Sequence, residues 1–185
     1  MTQGSPHEGL QASPWVQRWS GLVGAGARVL DVACGRGRHT RWFSARGCKV
    51  SAVDLDAQAM AGLRGIAEVL VADIENGPWP YAGREFDLVL VTNYLWRPLL
   101  PALLANVAEG GALVYETFAA GNETVGRPAR PDFLLRPGEL LDLVRGRLRV
   151  LGYEDGYLDA PPRFVQRIAA VRERSAGPVP QRYPL

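Results

Sequence analysis

The sequence predicts an α/β fold in which helices cover both faces of one sheet, a three-layer sandwich. Residues 27–56 hold an apolar run, a glycine turn, a helical segment and a second apolar run. Similar apolar runs recur along the chain, with helical segments between several of them. This alternation is typical of a parallel sheet with helices on both faces. The length of 185 residues, 47% of them hydrophobic, is enough for one well-buried domain.

The first half of the chain contains four predicted strands and three predicted helices. The fourth apolar run, FDLVLVT, suits a central strand of a parallel sheet because it is apolar on both faces. Pro14 and Asp56 occupy positions that favour the beginning of a helix. The predicted strands are 28–32, 49–53, 68–72 and 86–92, and the predicted helices are 14–20, 38–46 and 56–63.

The second half contains a long loop rich in proline, glycine and arginine between two groups of elements. Loops of this length are more often functional than idle. Glu109-Gly110-Gly111 is expected to end the preceding helix, and a link containing Pro161-Pro162 separates the last two strands. The predicted elements are helix 99–108, strand 112–118, loop 119–136, helix 137–145 and strands 148–154 and 164–172. We expect a flexible arm at 1–13, a single domain at 14–174 and a tail at 175–185.

Composition narrows the classes of function. The net charge of +2 is too small to indicate nucleic-acid binding by itself. No apolar run is long enough to span a membrane, and the N-terminus lacks a signal-peptide pattern, so we expect a cytoplasmic protein. Two cysteines and two histidines form neither a disulfide framework nor a set with metal-ligand spacing, so no metal site is expected.

The glycine turn after the first strand indicates a nucleotide-like ligand. Gly35 and Gly37 leave room for a ligand against bare backbone, and Asp54 follows the next strand, where an acid can accept ribose hydroxyls. A dinucleotide fingerprint would have a third glycine where Thr40 stands. Asp31, before the turn, would face a pyrophosphate unfavourably but suits a cationic ligand. An NAD-linked oxidoreductase is therefore disfavoured.

The stretch VLDVACGRGRHTRWFSARGCKVSAVDLD resembles motif I and its acidic partner in class I S-adenosylmethionine-dependent methyltransferases. Within that class, the chain is similar to the small tellurite-resistance-type methyltransferases over about residues 27–118. The resemblance implies a Rossmann-like, seven-stranded, mostly parallel sheet whose last strand is antiparallel. It also implies that S-adenosylmethionine is the cofactor. Residues from 119 onward depart from the pattern, so the substrate stays open.

The resemblance also implies roles for residues at the ends of the predicted strands. Asp31 would neutralise the ammonium group of the cofactor, and Asp54 would accept both ribose hydroxyls. Asp73 would bind the adenine amino group beside Ile74, although an aspartate here also suits a simple turn. The expected cofactor-binding residues are Asp31, Ala33, Gly35, Gly37, Asp54, Leu55, Asp73, Ile74, Asn93 and Tyr94.

Three residues are candidates for a catalytic role if the acceptor arrives protonated: Glu116, Tyr94 and His39. A carboxylate late in a central strand is costly to bury unless it is paired or used. Glu116 therefore either meets the substrate or pairs with an arginine such as Arg97. His39, at the beginning of a helix, is more often structural.

Arginines of the long loop, Arg127, Arg130 and Arg136, either attract an anionic substrate or form a solvated loop surface. Trp15 and Trp19 suit either a lid over the cofactor or the packing of the first helix.

Methyl transfer to a small, possibly anionic nucleophile is the function that these observations favour. Two alternatives stay open: a non-catalytic module that binds S-adenosylmethionine or S-adenosylhomocysteine, and a methyltransferase acting on protein or RNA. Nucleic acid is disfavoured as a partner because the sequence contains no base-reading module or basic tract. Membrane partners are not expected, and the oligomeric state is open.

Overall fold

The computed structural model describes residues 11–174 and 182–183. Most of the predicted arm at 1–13 and of the predicted tail at 175–185 lies outside these residues. Where the two are described, they pack against the domain. Ala12 and Ser13 are buried, and Arg149 lies over the Tyr183 ring, 5.9 Å from its centroid. The division of the chain into an arm, a domain and a tail stays a prediction.

Seven strands form one sheet in the order β3-β2-β1-β4-β5-β7-β6. Neighbouring strands from β3 to β5 are parallel, whereas β7 runs antiparallel to both β5 and β6. The predicted mostly parallel sheet with an antiparallel last strand is therefore confirmed. The strands are β1 Arg28–Val32, β2 Lys49–Asp54, β3 Glu68–Val71, β4 Phe86–Thr92, β5 Val107–Phe118, β6 Arg149–Asp159 and β7 Pro162–Val171.

Helices cover both faces of the sheet, which confirms the three-layer prediction. The helices are α1 Pro14–Trp19, α2 Arg38–Ser44, α3 Ala57–Met60, α4 Leu100–Ala105 and α5 Glu139–Val144. Apolar residues of α1 and α2 pack on one face, and those of α4 and α5 pack on the other. Asp56 caps α3 as predicted, because its carboxylate accepts hydrogen bonds from the backbone N–H groups of Gln58 and Ala59. Among the described helices, none combines the length and apolar character that a membrane span requires.

Strand β5 begins at Val107, five residues before the predicted start, and the preceding helix ends at Ala105. The prediction of a turn at residues 109–111 is wrong, because they lie within β5 at a register shift in its pairing with β4. Asn106 explains the early helix end, because its side-chain amide donates hydrogen bonds to the carbonyls of Tyr81 and Arg84. That side chain connects the end of α4 to the loop before β4.

The last two strands form a longer hairpin than predicted. Pairing continues from Arg149 opposite Val171 to Asp159 opposite Pro162, so the predicted link shrinks to a tight turn. Pro162 is tolerated because it stands at the first position of its strand. Because β7 is antiparallel, its beginning lies at the same edge of the sheet as the carboxyl ends of β1 to β5.

Candidate functional site

The turn after β1 brings backbone to the carboxyl edge of the sheet. Ala33, Gly35 and Gly37 all have positive φ, at 52°, 54° and 71°. A Cβ atom on Gly37 would lie 2.4 Å from Cδ2 of buried Leu63, so the turn that follows α3 packs where only glycine fits. A Cβ atom on Gly35 would meet nothing within 4 Å. Gly37 therefore serves packing, whereas Gly35 exposes its backbone to open space.

Asp54 is fixed beside this turn by two backbone groups. Its Oδ2 accepts a hydrogen bond from the Gly35 N–H at 2.8 Å, and its Oδ1 accepts one from the Asp56 N–H at 2.9 Å. Each carboxylate oxygen retains a further lone-pair direction, so Asp54 can still accept two hydroxyl groups. Leu55, the next residue, is 65% exposed, which is unusual for a leucine that follows a buried strand.

Asp31 lies under the turn, and one of its carboxylate oxygens accepts no hydrogen bond from a described residue. Its Oδ2 accepts a hydrogen bond of 2.6 Å from the Thr40 hydroxyl. Its Oδ1 is buried and has no partner among the described residues. Burial raises the pKa of Asp31 to about 6, against the opposing effect of the Thr40 hydrogen bond. A cationic donor at Oδ1 would satisfy this oxygen and favour the ionised form.

A cavity of about 280 Å³ opens between the ends of β1, β2, β3 and β4. Six of the ten predicted cofactor-binding residues line it, although they come from four separate segments of the chain. The lining residues are Ala33, Asp54, Leu55, Ala72, Asp73, Ile74, Glu75, Asn76 and Tyr94.

Asp73 has the turn-forming role that the sequence left open. Its Oδ1 accepts hydrogen bonds of 3.0 Å from the backbone N–H groups of Glu75 and Asn76. Its Oδ2 accepts a hydrogen bond from the Asn76 side-chain amide, which lowers the pKa of Asp73. Asp73 also lines the cavity, so a turn role does not prevent contact with a ligand.

Asn93 and Tyr94 leave the end of β4. Asn93 is exposed, has a φ of 54°, and donates its backbone N–H to the Glu116 carbonyl at 2.9 Å. The Tyr94 hydroxyl is buried and makes no hydrogen bond of normal length with a described residue. Burial, followed by the nearby Glu75 carboxylate, raises the pKa of Tyr94. Tyr94 is therefore neutral at physiological pH, and its hydroxyl can donate a hydrogen bond. Tyr94 could act as a base only as the phenolate, which the raised pKa disfavours.

Glu116, near the end of β5, is 1% exposed, and only one of its two carboxylate oxygens has a partner among the described residues. Its Oε2 lies 3.3 Å from Nη1 of Arg167, whereas its Oε1 is buried without a partner among the described residues. Glu116 does pair with an arginine, but the suggestion of Arg97 is wrong, because Arg97 pairs with Glu139 at 2.7 Å. Arg167 takes its place because it lies directly opposite Glu116 in the pairing of β5 with β7.

His39 is buried, and both of its ring nitrogens are engaged. Nε2 accepts a hydrogen bond from the Ser13 N–H at 3.2 Å, and Nδ1 lies 3.3 Å from the Thr92 hydroxyl. Burial, with help from the charge of Arg38, lowers the pKa of His39 to about 3. A neutral imidazole whose lone pair already accepts a hydrogen bond favours a structural role.

The long loop after β5 is anchored to the domain. Arg97 donates hydrogen bonds to the carbonyls of Asp132 and Leu134, at 2.8 Å each. Of the loop arginines, Arg130 pairs with Asp132 and Arg136 with Glu139. Arg127 is exposed, and among the described residues it has no ion pair.

The first helix contributes packing at this edge of the sheet. Trp15 and Trp19 are both buried, and their ring centroids lie 5.6 Å apart. The Arg167 guanidinium lies 5.0 Å from the centroid of the Trp15 ring. These contacts favour a core role for both tryptophans over that of a movable lid.

Sequence reasoning missed three arginines at this edge: Arg38, Arg163 and Arg167. Arg38 directly follows the glycine turn, so its position near the site could have been inferred from the motif. Arg163 and Arg167 belong to β7, and only the antiparallel pairing of β7 with β5 brings them to the edge where the other strands end.

A second concavity, of about 970 Å³, lies at the opposite edge of the sheet. Its lining includes the first residues of four strands, Arg28, Lys49, Glu68 and Phe86. Ligands of open α/β sheets bind at the carboxyl ends of strands, so this concavity is not the predicted site. Within the described part of the chain, no group of three or more His, Cys, Asp or Glu side chains is arranged to hold a metal ion.

Comparison with known sequences shows that part of this chain is similar to methyltransferases. A family described as "Methyltransferase domain" matches residues 29–110. A malonyl-[acyl-carrier protein] O-methyltransferase from Enterobacter lignolyticus is 36% identical over 102 residues, which cover 51% of this chain and 40% of that protein. Ribosomal RNA small subunit methyltransferase C from Chromohalobacter salexigens is 58% identical over 40 residues, covering 22% and 12%. The chain thus matches less than half the length of these relatives.

Solved structures share the fold. TehB from Haemophilus influenzae superposes with a TM-score of 0.66 at 20% identity, covering 86% of this chain and 61% of that one. A TehB-like S-adenosylmethionine-dependent methyltransferase from Corynebacterium glutamicum gives a TM-score of 0.61 at 19% identity, covering 86% and 87%. These structures confirm the predicted fold. The family match to residues 29–110 supports the predicted resemblance to class I S-adenosylmethionine-dependent methyltransferases, and with it the predicted cofactor.

Proposed function

We propose that this protein binds S-adenosylmethionine at the carboxyl ends of β1 to β4 and transfers its methyl group to a small-molecule nucleophile. One observation carries this proposal. Four separate segments converge on one cavity, whose lining includes Ala33, Asp54, Leu55, Asp73, Ile74 and Tyr94. The family resemblance assigns the same six residues to the cofactor.

The residues present fit the cofactor in charge as well as position. Asp31 has a buried oxygen without a hydrogen-bond partner among the residues that the structure describes, which suits the ammonium of the methionine portion. Asp54 is held by backbone donors with acceptor capacity left for two ribose hydroxyls. Gly35 faces open space, so backbone can approach the ligand without a side chain between them.

When bound, S-adenosylmethionine supplies a methyl group already activated by a positively charged sulfur. Asp31, Gly35 and Asp54 would hold the cofactor so that an acceptor nucleophile could bond to its methyl carbon as the carbon–sulfur bond breaks, with the electron pair left on sulfur. The protein chiefly contributes alignment and exclusion of water. Oε1 of Glu116 can take the proton of a hydroxyl or thiol acceptor, and the neutral Tyr94 hydroxyl can donate a hydrogen bond.

The type of acceptor is the finer part of the proposal. By their names, the curated relatives act on a malonyl group carried by a protein and on ribosomal RNA. A small molecule is favoured here because the net charge is only +2. A cytoplasmic location remains a prediction from the sequence.

Calorimetric titration with S-adenosylmethionine, S-adenosylhomocysteine and NADH tests the binding part. We expect micromolar binding of the first two compounds and none of NADH. Binding of NADH alone would overturn the cofactor site. Release of S-adenosylhomocysteine in the presence of candidate acceptors then separates an enzyme from a non-catalytic binding module, which would bind the cofactor without turnover.

The role of Glu116 has its own test. Glu116→Gln keeps the size of the side chain but removes its ability to take a proton. We expect turnover to fall at least about tenfold while cofactor affinity stays within about twofold. Glu154→Gln is the matched control, because Glu154 also pairs with Arg167 but is much more exposed. Unchanged turnover in Glu116→Gln would assign Glu116 to the ion pair alone.

A further inference from the structure

Two arginines at the carboxyl edge of the sheet form no ion pair with a described residue. The guanidinium of Arg38, at the beginning of α2, makes no hydrogen bond or ion pair with any residue in the described ranges, although the residue is half-buried. Nε of Arg163, near the beginning of β7, is buried and likewise without a partner there. The other half-buried arginines of the described ranges, Arg97, Arg167 and Arg172, all contact carboxylates or carbonyls.

Topology brings this arginine pair, Arg38 and Arg163, to one side of the sheet. Residues of β7 alternate between faces, and Arg163 shares the α1 and α2 face with Arg167 and Ala169. Glu116 shares that face with Ala112 and Val114. The β5–β7 register places Arg163 just beyond the end of β5. The first turn of α2 lies at the end of the adjacent strand β4, because His39 Nδ1 is 3.3 Å from the Thr92 hydroxyl and Thr92 pairs with Glu116.

The charges of these groups affect one another. Burial lowers the pKa of Arg38, the Glu116 carboxylate raises it, and Arg163 lowers it again. These effects agree with the placement of Arg38 and Arg163 at the ends of β4 and β5. Glu116 does not neutralise the pair, because Arg167 is its hydrogen-bonded partner. Two neighbouring half-buried guanidinium groups repel each other, and an oxyanion between them would remove that repulsion.

We propose that Arg38 and Arg163 bind the anionic group of a small organic acid, whose hydroxyl or thiol meets Oε1 of Glu116. This inference rests on the proposed function, because it concerns the methyl acceptor. Guanidinium groups match oxyanions in geometry, and the unpartnered carboxylate oxygen of Glu116 requires a donor rather than a second anion. The acceptor therefore carries a negative charge and a donor on one small molecule.

The test compares matched acceptors that differ only in charge, using protein saturated with S-adenosylmethionine. Thioglycolate is compared with 2-mercaptoethanol, and glycolate with ethylene glycol, by calorimetry and by release of S-adenosylhomocysteine. We expect each acid to bind and react at least about tenfold better than its neutral counterpart, as hydrogen bonds to charged groups would give. We call the proposed site at Arg38 and Arg163 the acid site. Equal binding and equal turnover of the acid and its neutral counterpart in the wild-type protein would overturn it.

Two variants on different elements keep the test decisive if one of them fails to fold. Arg38→Gln and Arg163→Gln are each expected to reduce the preference for acids by at least about tenfold, with cofactor affinity within about threefold of wild type. Arg130→Gln, in the exposed loop, is the matched control and should keep the preference. A preference that survives both site variants, or that disappears equally in the control, would overturn the assignment.

The failure of this inference is distinguishable from failure of the proposed function. If S-adenosylmethionine itself does not bind, the proposed function fails. If it binds and neutral acceptors are methylated while acids are not, the function stands and the acid site is overturned. Absence of binding by every acid tested on the loaded protein also overturns the acid site.

Discussion

The cofactor region and the acid site differ in how their polar groups are held. In the cofactor region, at the ends of β1 to β4, the carboxylates of Asp54 and Asp73 accept hydrogen bonds from backbone N–H groups, most of them close in sequence. Asp73 binds residues two and three positions later, and Asp54 binds Asp56. In the acid site, Arg38 and Arg163 lie 125 positions apart in the chain and have no described partner.

This contrast teaches that the two regions are prepared for their ligands by different means. Local backbone donors fix the carboxylates of the cofactor region before any ligand arrives, so little orientation is left for the ligand to impose. In the acid site, neighbouring like charges face a space that a counter-charge would fill. Changes in the first region should therefore affect cofactor binding, and changes in the second should affect acceptor selection.

Replacing Asp54 is expected to have the largest effect. Asp54→Ala removes the proposed acceptor of both ribose hydroxyls and the support of the Gly35 N–H, so cofactor affinity should fall at least about 100-fold. Asp87→Ala removes a carboxylate of the same size at the opposite edge of the sheet, where it pairs with Arg28, and serves as control. Calorimetry measures both. Near-native affinity in Asp54→Ala would remove the ribose assignment.

Substitutions at the two glycines of the turn should affect different properties: Gly37 the stability of the fold, and Gly35 the affinity for the cofactor. Gly37→Ala places a methyl group against Leu63 at a positive φ, and we expect a loss of about 2–3 kcal/mol in the free energy of unfolding. Gly35→Ala meets no atom, so it should cost only about 1 kcal/mol while weakening cofactor binding more than Gly37→Ala does. Denaturant unfolding and calorimetry give the two quantities. Equal losses of stability would argue against this division.

Arg97 should matter to the loop beyond β5 far more than the exposed arginines do. Arg97→Met removes two hydrogen bonds to loop carbonyls and leaves the largely buried Glu139 carboxylate with Arg136 alone. We expect a loss of about 2 kcal/mol in unfolding free energy. Arg130→Ala, which breaks only an exposed pair, should cost less than about 0.5 kcal/mol. Similar values for both variants would show that the loop is not anchored through Arg97.

Asp31 should make cofactor binding depend on pH. Its pKa is raised from 3.8 to about 6 in the free protein, so the carboxylate is protonated below that pH and ionised above it. Since the expected ligand group is a cation, affinity should rise about tenfold between about pH 5 and pH 8. Asp31→Asn should give a flat profile over that range. An unchanged slope in the variant would assign the titration to another group.

The same group affects stability with the opposite sign. A folded pKa above the unfolded value means that the folded protein binds the proton more tightly. This contribution to stability is complete below about pH 4 and is lost as the pH rises through about 6. Thermal unfolding of the wild-type protein and Asp31→Asn compares the two. Bound S-adenosylmethionine should offset the loss, because its ammonium stabilises the ionised carboxylate.

The sequence was a good guide to the cofactor region because its signals are local. A glycine turn, the acid before it and the acid after the next strand lie within 24 residues, from Asp31 to Asp54. Backbone geometry fixes how such a short segment folds. The strand-end rule then extended the prediction to Asp73 and Tyr94, and both line the same cavity.

Sequence reasoning was less successful where a residue's environment depends on strands that are distant in the chain. Arg97 was the expected partner of Glu116, but the β5–β7 register provides Arg167 instead. The glycines at 110 and 111 were expected to end a helix, but they lie in the irregular beginning of β5. Glycine favours both situations, and only the neighbouring strand decides between them.

By itself, the sequence determined the fold class and the ends of the strands at which the cofactor region lies, because these follow from alternating elements and one compact motif. The identity of the cofactor came from the resemblance of that motif to a known family. Only the tertiary structure decided which charges meet. The antiparallel entry of β7 brings Arg163 and Arg167 to the edge where β5 ends and α2 begins. The physical reason is that a short motif carries its own geometry, whereas pairing between distant strands is fixed by the packing of the whole domain.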